Sequence, residues 1–381
     1  MRPTYFLLGA ATMLCASTAT LANGPAAEVE RPSTTPEGLA SAFATQLSED
    51  PDVPAFAIAV GSCKSIDVQM GGLRKVGGEQ QIGSSARFNI GSNAKSMLAT
   101  VAARLHDRGV LSLDSTVEEI WPEAAQKHPD KADITLAQLF AHSSGMPAFD
   151  KGSDLERVPP FEGAKQEIRR AAAEWFLMQP LETTPGEATS YSNAGYVIAG
   201  YLLEHGTGTP LETLLEAEVF EPLALDASLG EPRHMTGAQP WGHYVSGDVV
   251  VAYEEADPPI PPFLEAAGNV SLSPLAYARY LQAQLCALNG ESDFIAPDTA
   301  RRLHRPTKEG GSALGWGVTE LNGAPVSFHV GGTGDFTAYA ALSGPLDRLA
   351  FAILNVGGAP AQQSLQWLIE VMSLPDTEAR Q

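Results

Sequence analysis

The sequence predicts an α/β protein of the α+β kind, with one sheet assembled from both ends of the chain, flanking helices and a mostly helical insertion. Three observations lead there. Short apolar or alternating runs bounded by Gly and Pro lie near the two ends, at Ala55 to Val60 and again from Val326 to Asn355. Between them apolar residues recur at helical spacing. Strand and helix do not alternate as a parallel sheet would require, and no internal repeat is present.

Taken in order, residues 1–22 have the make-up of a secretory signal peptide. Arg2 is the lone charge, Tyr5 to Leu14 is apolar, and Thr20-Leu21-Ala22 offers small residues before a cleavage point. An exported protein, periplasmic or secreted, is therefore expected. Residues 23–36 read as a Pro- and Thr-rich linker. Leu39, Phe43 and Leu47 then mark a helix. Ala55 to Val60 is a buried strand, and Ser65 to Met70 a second one ended by Gly71-Gly72. After Ser92, the residues Ala94, Met97, Leu98, Val101, Ala102 and Leu105 trace a strongly apolar helix that Gly109 terminates. Shorter helices follow at Leu136 to Phe140 and around Val197 to Leu202. Asp257 to Pro262 carries four prolines and is a loop.

Period two returns at the C-terminal end. Val326, Phe328 and Val330 alternate with Ser327 and His329, which places His329 away from the apolar face. Phe336 to Ser343 and Arg348 to Asn355 are two further strands, and Leu365, Leu368, Ile369 and Met372 mark a last helix. The expected organisation is a sheet subdomain from residues 37–100 and 305–381, with a mostly helical subdomain at 101–304.

Composition narrows the function classes. Of 381 residues 44% are hydrophobic and 18% charged, enough apolar material for a core and too little charge for a disordered chain. With 24 basic against 45 acidic side chains the formal charge is −21, a surface that repels phosphate backbones and anionic lipid. The expected partner is a small-molecule or peptide substrate, with no nucleic acid and no stable membrane insertion. Beyond the signal segment only Cys63 and Cys286 remain, as a pair or as two buried thiols. No CxxC or His-rich cluster suggests zinc, so neither metal nor cofactor is expected. Oligomeric state is left open.

Three clusters carry chemistry. In Ser92-Asn93-Ala94-Lys95, a weakly nucleophilic hydroxyl has an amine one helical turn away, on the same face. This is the only S-x-x-K in the chain. Lys95 lies in an otherwise apolar helix, where desolvation disfavours its charge and makes the amine a usable base. Tyr191-Ser192-Asn193 supplies a phenol, able to shuttle a proton if nearby cations lower its pKa, and a carboxamide that both donates and accepts. The plainer alternative is a packed ring with Asn193 as a helix cap. His329-Val330-Gly331-Gly332 ends a strand in glycines that let a substrate backbone approach and leave N–H groups for an oxyanion. Its plainer alternative is a hairpin with a solvent-facing histidine.

Together, and in this order, the clusters resemble the penicillin-recognising serine hydrolases. These comprise class C β-lactamases, D,D-peptidases, D-aminopeptidases and related esterases. Phe88-Asn89-Ile90-Gly91, His142-Ser143-Ser144-Gly145-Met146-Pro147, Ala267-Gly268-Asn269 and Gly315-Trp316-Gly317 extend the resemblance over roughly Ala55 to Asn355. It implies a β-lactamase/transpeptidase-like fold with an antiparallel sheet. It also implies Ser92 as the acylated nucleophile, with Lys95 and Tyr191 handling protons. Asn193, His329 and Gly331 would bind substrate, and the backbone N–H groups of Ser92 and Gly332 would form the oxyanion hole. The reaction implied is hydrolysis of an ester or amide through acyl-Ser92, on a D-amino-acid peptide, a β-lactam or a small ester.

His329 stands where β-lactamases of this type carry lysine, which favours the D,D-peptidase, D-aminopeptidase and esterase branches over a class C-like β-lactamase. A histidine titrating near neutrality would change the turnover of carboxylate substrates between about pH 6 and 8. Two rivals remain. An α/β-hydrolase would use Ser143, one residue short of G-x-S-x-G, and needs a strand before it where a helix is expected. A penicillin-binding sensor would be acylated without turnover.

Overall fold

The structure, a computed structural model, describes residues 35–358 and 362–375. The expected signal segment therefore lies outside the described residues. Thr35 caps the first helix, α1 (Pro36–Glu49), by accepting from the Gly38 N–H at 3.2 Å, with Pro36 at the position where proline best starts a helix. Strands β1 (Ala55–Gly61), β2 (Ile66–Gly72) and β3 (Phe88–Asn89) follow. A 3₁₀ turn over Gly91–Asn93 leads into α2 (Ala94–Asp107).

The middle of the chain is mostly helical. It contains α3 (Val117–Ile120), α4 (Pro122–Lys127), α5 (Leu136–Phe140), α6 (Gly152–Leu155), α7 (Lys165–Leu177), α8 (Asn193–Thr207) and α9 (Leu211–Leu215). Strands β4 (Ala227–Leu229), β5 (His243–Ser246) and β6 (Val249–Ala252) come next, then α10 (Glu265–Gly268) and β7 (Val270–Leu272). After α11 (Pro274–Asn289) and α12 (Pro297–His304), the chain returns as β8 (Gly317–Leu321), β9 (Ala324–Gly332), β10 (Thr337–Ser343) and β11 (Arg348–Leu354), and closes with α13 (Gln362–Ser373).

Six strands form the main sheet in the order β2-β1-β11-β10-β9-β8, every neighbouring pair antiparallel. The central position of β11 beside β1 is the expected union of the two chain ends. One face packs on α1 and α13, where the Phe43 and Trp367 rings stack at 5.1 Å. The other face packs on α2, α11 and the helical region in the larger core.

Two features were not foreseen. The short strands β3, β7 and β4 form a second sheet that holds the approach to Ser92. The proline loop also ends in order, Pro262 opening a short 3₁₀ turn that leads directly into α10. Cys63 and Cys286 are bonded to each other, their Cα atoms 5.4 Å apart, tying the β1–β2 connection to α11.

Candidate active site

Ser92 sits in the 3₁₀ turn between β3 and α2, held from several directions. Asn93 donates through Nδ2 to Ile90 O and to Ala338 O of β10, and accepts the Tyr277 hydroxyl from α11 at 2.8 Å. Gly91 has φ +51°, a conformation that glycine adopts without penalty. A Cβ there would also lie 2.7 Å from Gly332 N, and one on Gly331 would lie 2.2 Å from Ile90 O and 2.9 Å from Ser92 N. The end of β9 thus runs against the nucleophile turn, bringing the Ser92 and Gly332 backbones together where a side chain would force them apart. The first turn of a helix leaves N–H groups without intrahelical partners, which suits this corner to an oxyanion.

Lys95 is fully buried. Its Nζ donates to Ser92 Oγ at 3.1 Å and also to the Ala267 carbonyl of α10. Burial holds the amine's pKa well below the usual lysine value. The apolar helix of the sequence therefore creates the environment expected of it. Tyr191 OH donates to the same Ser92 Oγ at 2.8 Å. No cation lowers this phenol's pKa in the resting site. Burial pushes it up, with the Ser92 hydrogen bond opposing and Asp150 adding to the rise, so the resting side chain is a protonated phenol.

Asn193 is the first residue of α8, but the cap is Ser192, whose Oγ accepts from the Gly195 N–H at 2.9 Å. Asn193 Nδ2 donates to Phe149 O at 2.9 Å, and its buried Oδ1 has no partner in the protein. The side chain ties down the backbone at Phe149 and leaves one buried acceptor unpaired.

His329 lies on the face of β9 opposite Val326, as the alternation predicts, yet that face is covered and the residue is 7% exposed. The solvent-facing alternative is excluded. Burial, reinforced by Lys95, pushes its pKa down to about 3. The expected change between pH 6 and 8 is therefore corrected: this imidazole is neutral throughout that range. Thr189, Tyr191, Trp316, Phe328 and His329 help line a cavity of about 220 Å³ beside the nucleophile.

Two participants were not legible as such. His142 stands out in the sequence only as part of its loop signature. Its ring packs on Tyr191, centroids 4.5 Å apart, and its Nδ1 accepts from the Ser192 N–H at 3.0 Å. Its φ of +55° is a conformation that sequence does not announce for histidine. The Ala267 carbonyl, a backbone atom, has no residue-type signal. Ser143, the rival nucleophile, follows helix α5 rather than a strand, and its Oγ reaches only Gln138 O, at 3.5 Å. Among the described residues no group of three or more His, Cys, Asp or Glu is placed to hold a metal ion, and no helix is long and apolar enough to cross a membrane.

A model of the family described as Beta-lactamase matches residues 40–364. The chain belongs to the beta-lactamase family. "Penicillin-binding protein 4" of Amycolatopsis lactamdurans is 24% identical over 335 residues, 82% of this chain and 83% of that relative. Other curated relatives are matched over 31% to 56% of their own length. Among solved structures, the octameric penicillin-binding protein homologue from Pyrococcus abyssi has a TM-score of 0.72 at 21% identity, covering 89% of this chain and 76% of that one. The D-amino acid amidase from Ochrobactrum anthropi has a TM-score of 0.70 at 18% identity, covering 90% and 100%. The fold is thus the α/β fold of β-lactamases and transpeptidases, and the protein is a hydrolase of this family.

Proposed function

We propose that the protein is an exported serine hydrolase that cleaves ester or amide bonds through an acyl-Ser92 intermediate. The observation that carries this reading is the position of Ser92 Oγ, 3.1 Å from Lys95 Nζ and 2.8 Å from the Tyr191 hydroxyl. Two side chains from distant segments, Lys95 and Tyr191, converge on this one oxygen, in a turn where β9 brings a second backbone N–H.

On deprotonation the buried amine keeps its hydrogen bond to Ala267 O, and its lone pair takes the place of the N–H that meets Ser92 Oγ in the structure. As Ser92 Oγ attacks the substrate carbonyl, its proton passes to Lys95, and the oxyanion is received by the N–H groups of Ser92 and Gly332. Collapse breaks the bond to the leaving group, which takes a proton from the Tyr191 phenol while Lys95 restores it. Water then attacks acyl-Ser92 with the same proton path reversed, releasing the acid and the free serine. Gly331 lets the substrate backbone lie along β9, and the unpaired Oδ1 of Asn193 is the acceptor assigned to a substrate amide.

The substrates favoured are small molecules or peptides of the D-amino-acid amide, peptide or ester type. The neutral His329 weakens the case for a class C-like β-lactamase, because no fixed cation stands where such enzymes place a lysine. The Cys63–Cys286 bond supports an oxidising, extracytoplasmic location.

A panel of nitrocefin, p-nitrophenyl esters, D-alanyl anilides and a D-Ala-D-Ala peptide tests this. At least one ester or amide should turn over, and Ser92→Ala should reduce that turnover by at least about 10³-fold. Turnover surviving in Ser92→Ala would overturn the assignment, and labelling without turnover of any substrate would turn it into a sensor.

A further inference from the structure

The cavity beside Tyr191 carries a chemical instruction in its two histidines. It adjoins the nucleophile through Tyr191, which both lines it and donates to Ser92 Oγ. No Lys, Arg, Asp or Glu is among its lining residues. The hydroxyls of Thr189, Tyr191 and Ser312 in its lining can each donate or accept, so the groups with a fixed direction are the two imidazoles, set by which nitrogen carries a proton.

The hydrogen bonds settle that for each ring. The Ser192 N–H donates to His142 Nδ1 at 3.0 Å, so this nitrogen bears a lone pair and the proton of the neutral ring is on Nε2. His329 Nδ1 lies 3.0 Å from the Val330 carbonyl, a contact that needs a hydrogen on Nδ1 and leaves the lone pair on Nε2. The two rings therefore leave a ligand one N–H donor on His142 and one acceptor on His329.

A carboxylate offers only acceptors. It would satisfy His142 but set its charge against the His329 lone pair, which leaves a buried mismatch. A carboxamide offers a carbonyl and an N–H together. We propose that this cavity binds an uncharged carboxamide of the substrate, its carbonyl on His142 Nε2–H and its N–H on His329 Nε2, and discriminates against a free carboxylate at the same position. The inference rests on the acyl-Ser92 reading above and narrows it to substrates with an amide or peptide group beside the scissile bond. Burial keeps both rings neutral, His329 down at about 3 and His142 well below its ordinary value.

The test measures how N-acetyl-D-alaninamide and N-acetyl-D-alanine slow the labelling of Ser92 by a fluorophosphonate. The carboxamide should protect at a concentration at least 10-fold below the acid, and His329→Lys should reverse the order. Equal protection, better protection by the acid, or protection by neither would overturn the proposal. Failure of the probe to label Ser92 at all would instead overturn the acyl-enzyme reading. Imidazole ¹⁵N shifts of the wild-type protein give a readout that needs no variant. They should show Nε2–H for His142 and Nδ1–H for His329, and the opposite tautomer at His329 would contradict it.

Discussion

At the residue scale, Lys95 has the sharpest consequences. An amine whose pKa is lowered by burial acts as a base only once deprotonated. Activity should therefore rise with pH through that lowered pKa and level off below the ordinary lysine value of about 10.4. A kcat/KM profile checks this, and a rise delayed to the ordinary lysine range would contradict it. Tyr191→Phe keeps the ring on His142 but removes the proton donated to Ser92, and should lower kcat by about 10²- to 10⁴-fold. Steady-state kinetics on an ester with a poor leaving group measures it. Ser92 and Lys95 were legible because a lone lysine in an apolar helix is anomalous. His142 was not, because its role comes from a positive φ and a ring contact with a residue 49 positions away.

At the scale of elements, the short helix α10 braces the nucleophile from behind. A Cβ on its Gly268 would lie 3.1 Å from Ser92 N, and Ala267 holds Lys95. Glu265, at its start, is buried and accepts from Lys165 Nζ at 2.7 Å and Arg169 Nη1 at 2.9 Å. Arg169 also binds Glu204 and Glu212, so one buried guanidinium joins α7, α8, α9 and α10. Arg169→Met would leave buried carboxylates unpaired and should cost about 3–5 kcal/mol in urea unfolding. The long strands were legible because their side chains alternate between two packed faces. The second sheet was not, because strands of two or three residues, such as β3 and β7, are too short to display a period.

At the scale of the whole molecule, the union of the chain ends was legible from where the period-two runs lie. Sequence left open the Cys63–Cys286 bond, which spans 223 residues and joins the sheet to the helical side. Replacing both cysteines with serine should lower stability by about 2–4 kcal/mol. A shift in denaturation midpoint reads it out. The sheet also buries Asp335 just beyond β9. Burial pushes its carboxyl up to about 7, even though Thr333 Oγ1 donates to it at 2.6 Å. The folded state thus prefers the protonated acid. Its contribution to stability is full below the unfolded pKa of about 4 and is lost as pH rises through about 7. Asp335→Asn should flatten Tm against pH over that window, and an unchanged slope would contradict the assignment.

The account depends most on a bond between Ser92 and substrate. The most direct test is to quench the protein during turnover of a p-nitrophenyl ester and map the adduct by peptide mass. The acyl group should be found on the peptide containing Ser92, and it should be absent from Ser92→Ala. An acyl group on Ser143, or steady turnover with no covalent adduct under any quench, would contradict it.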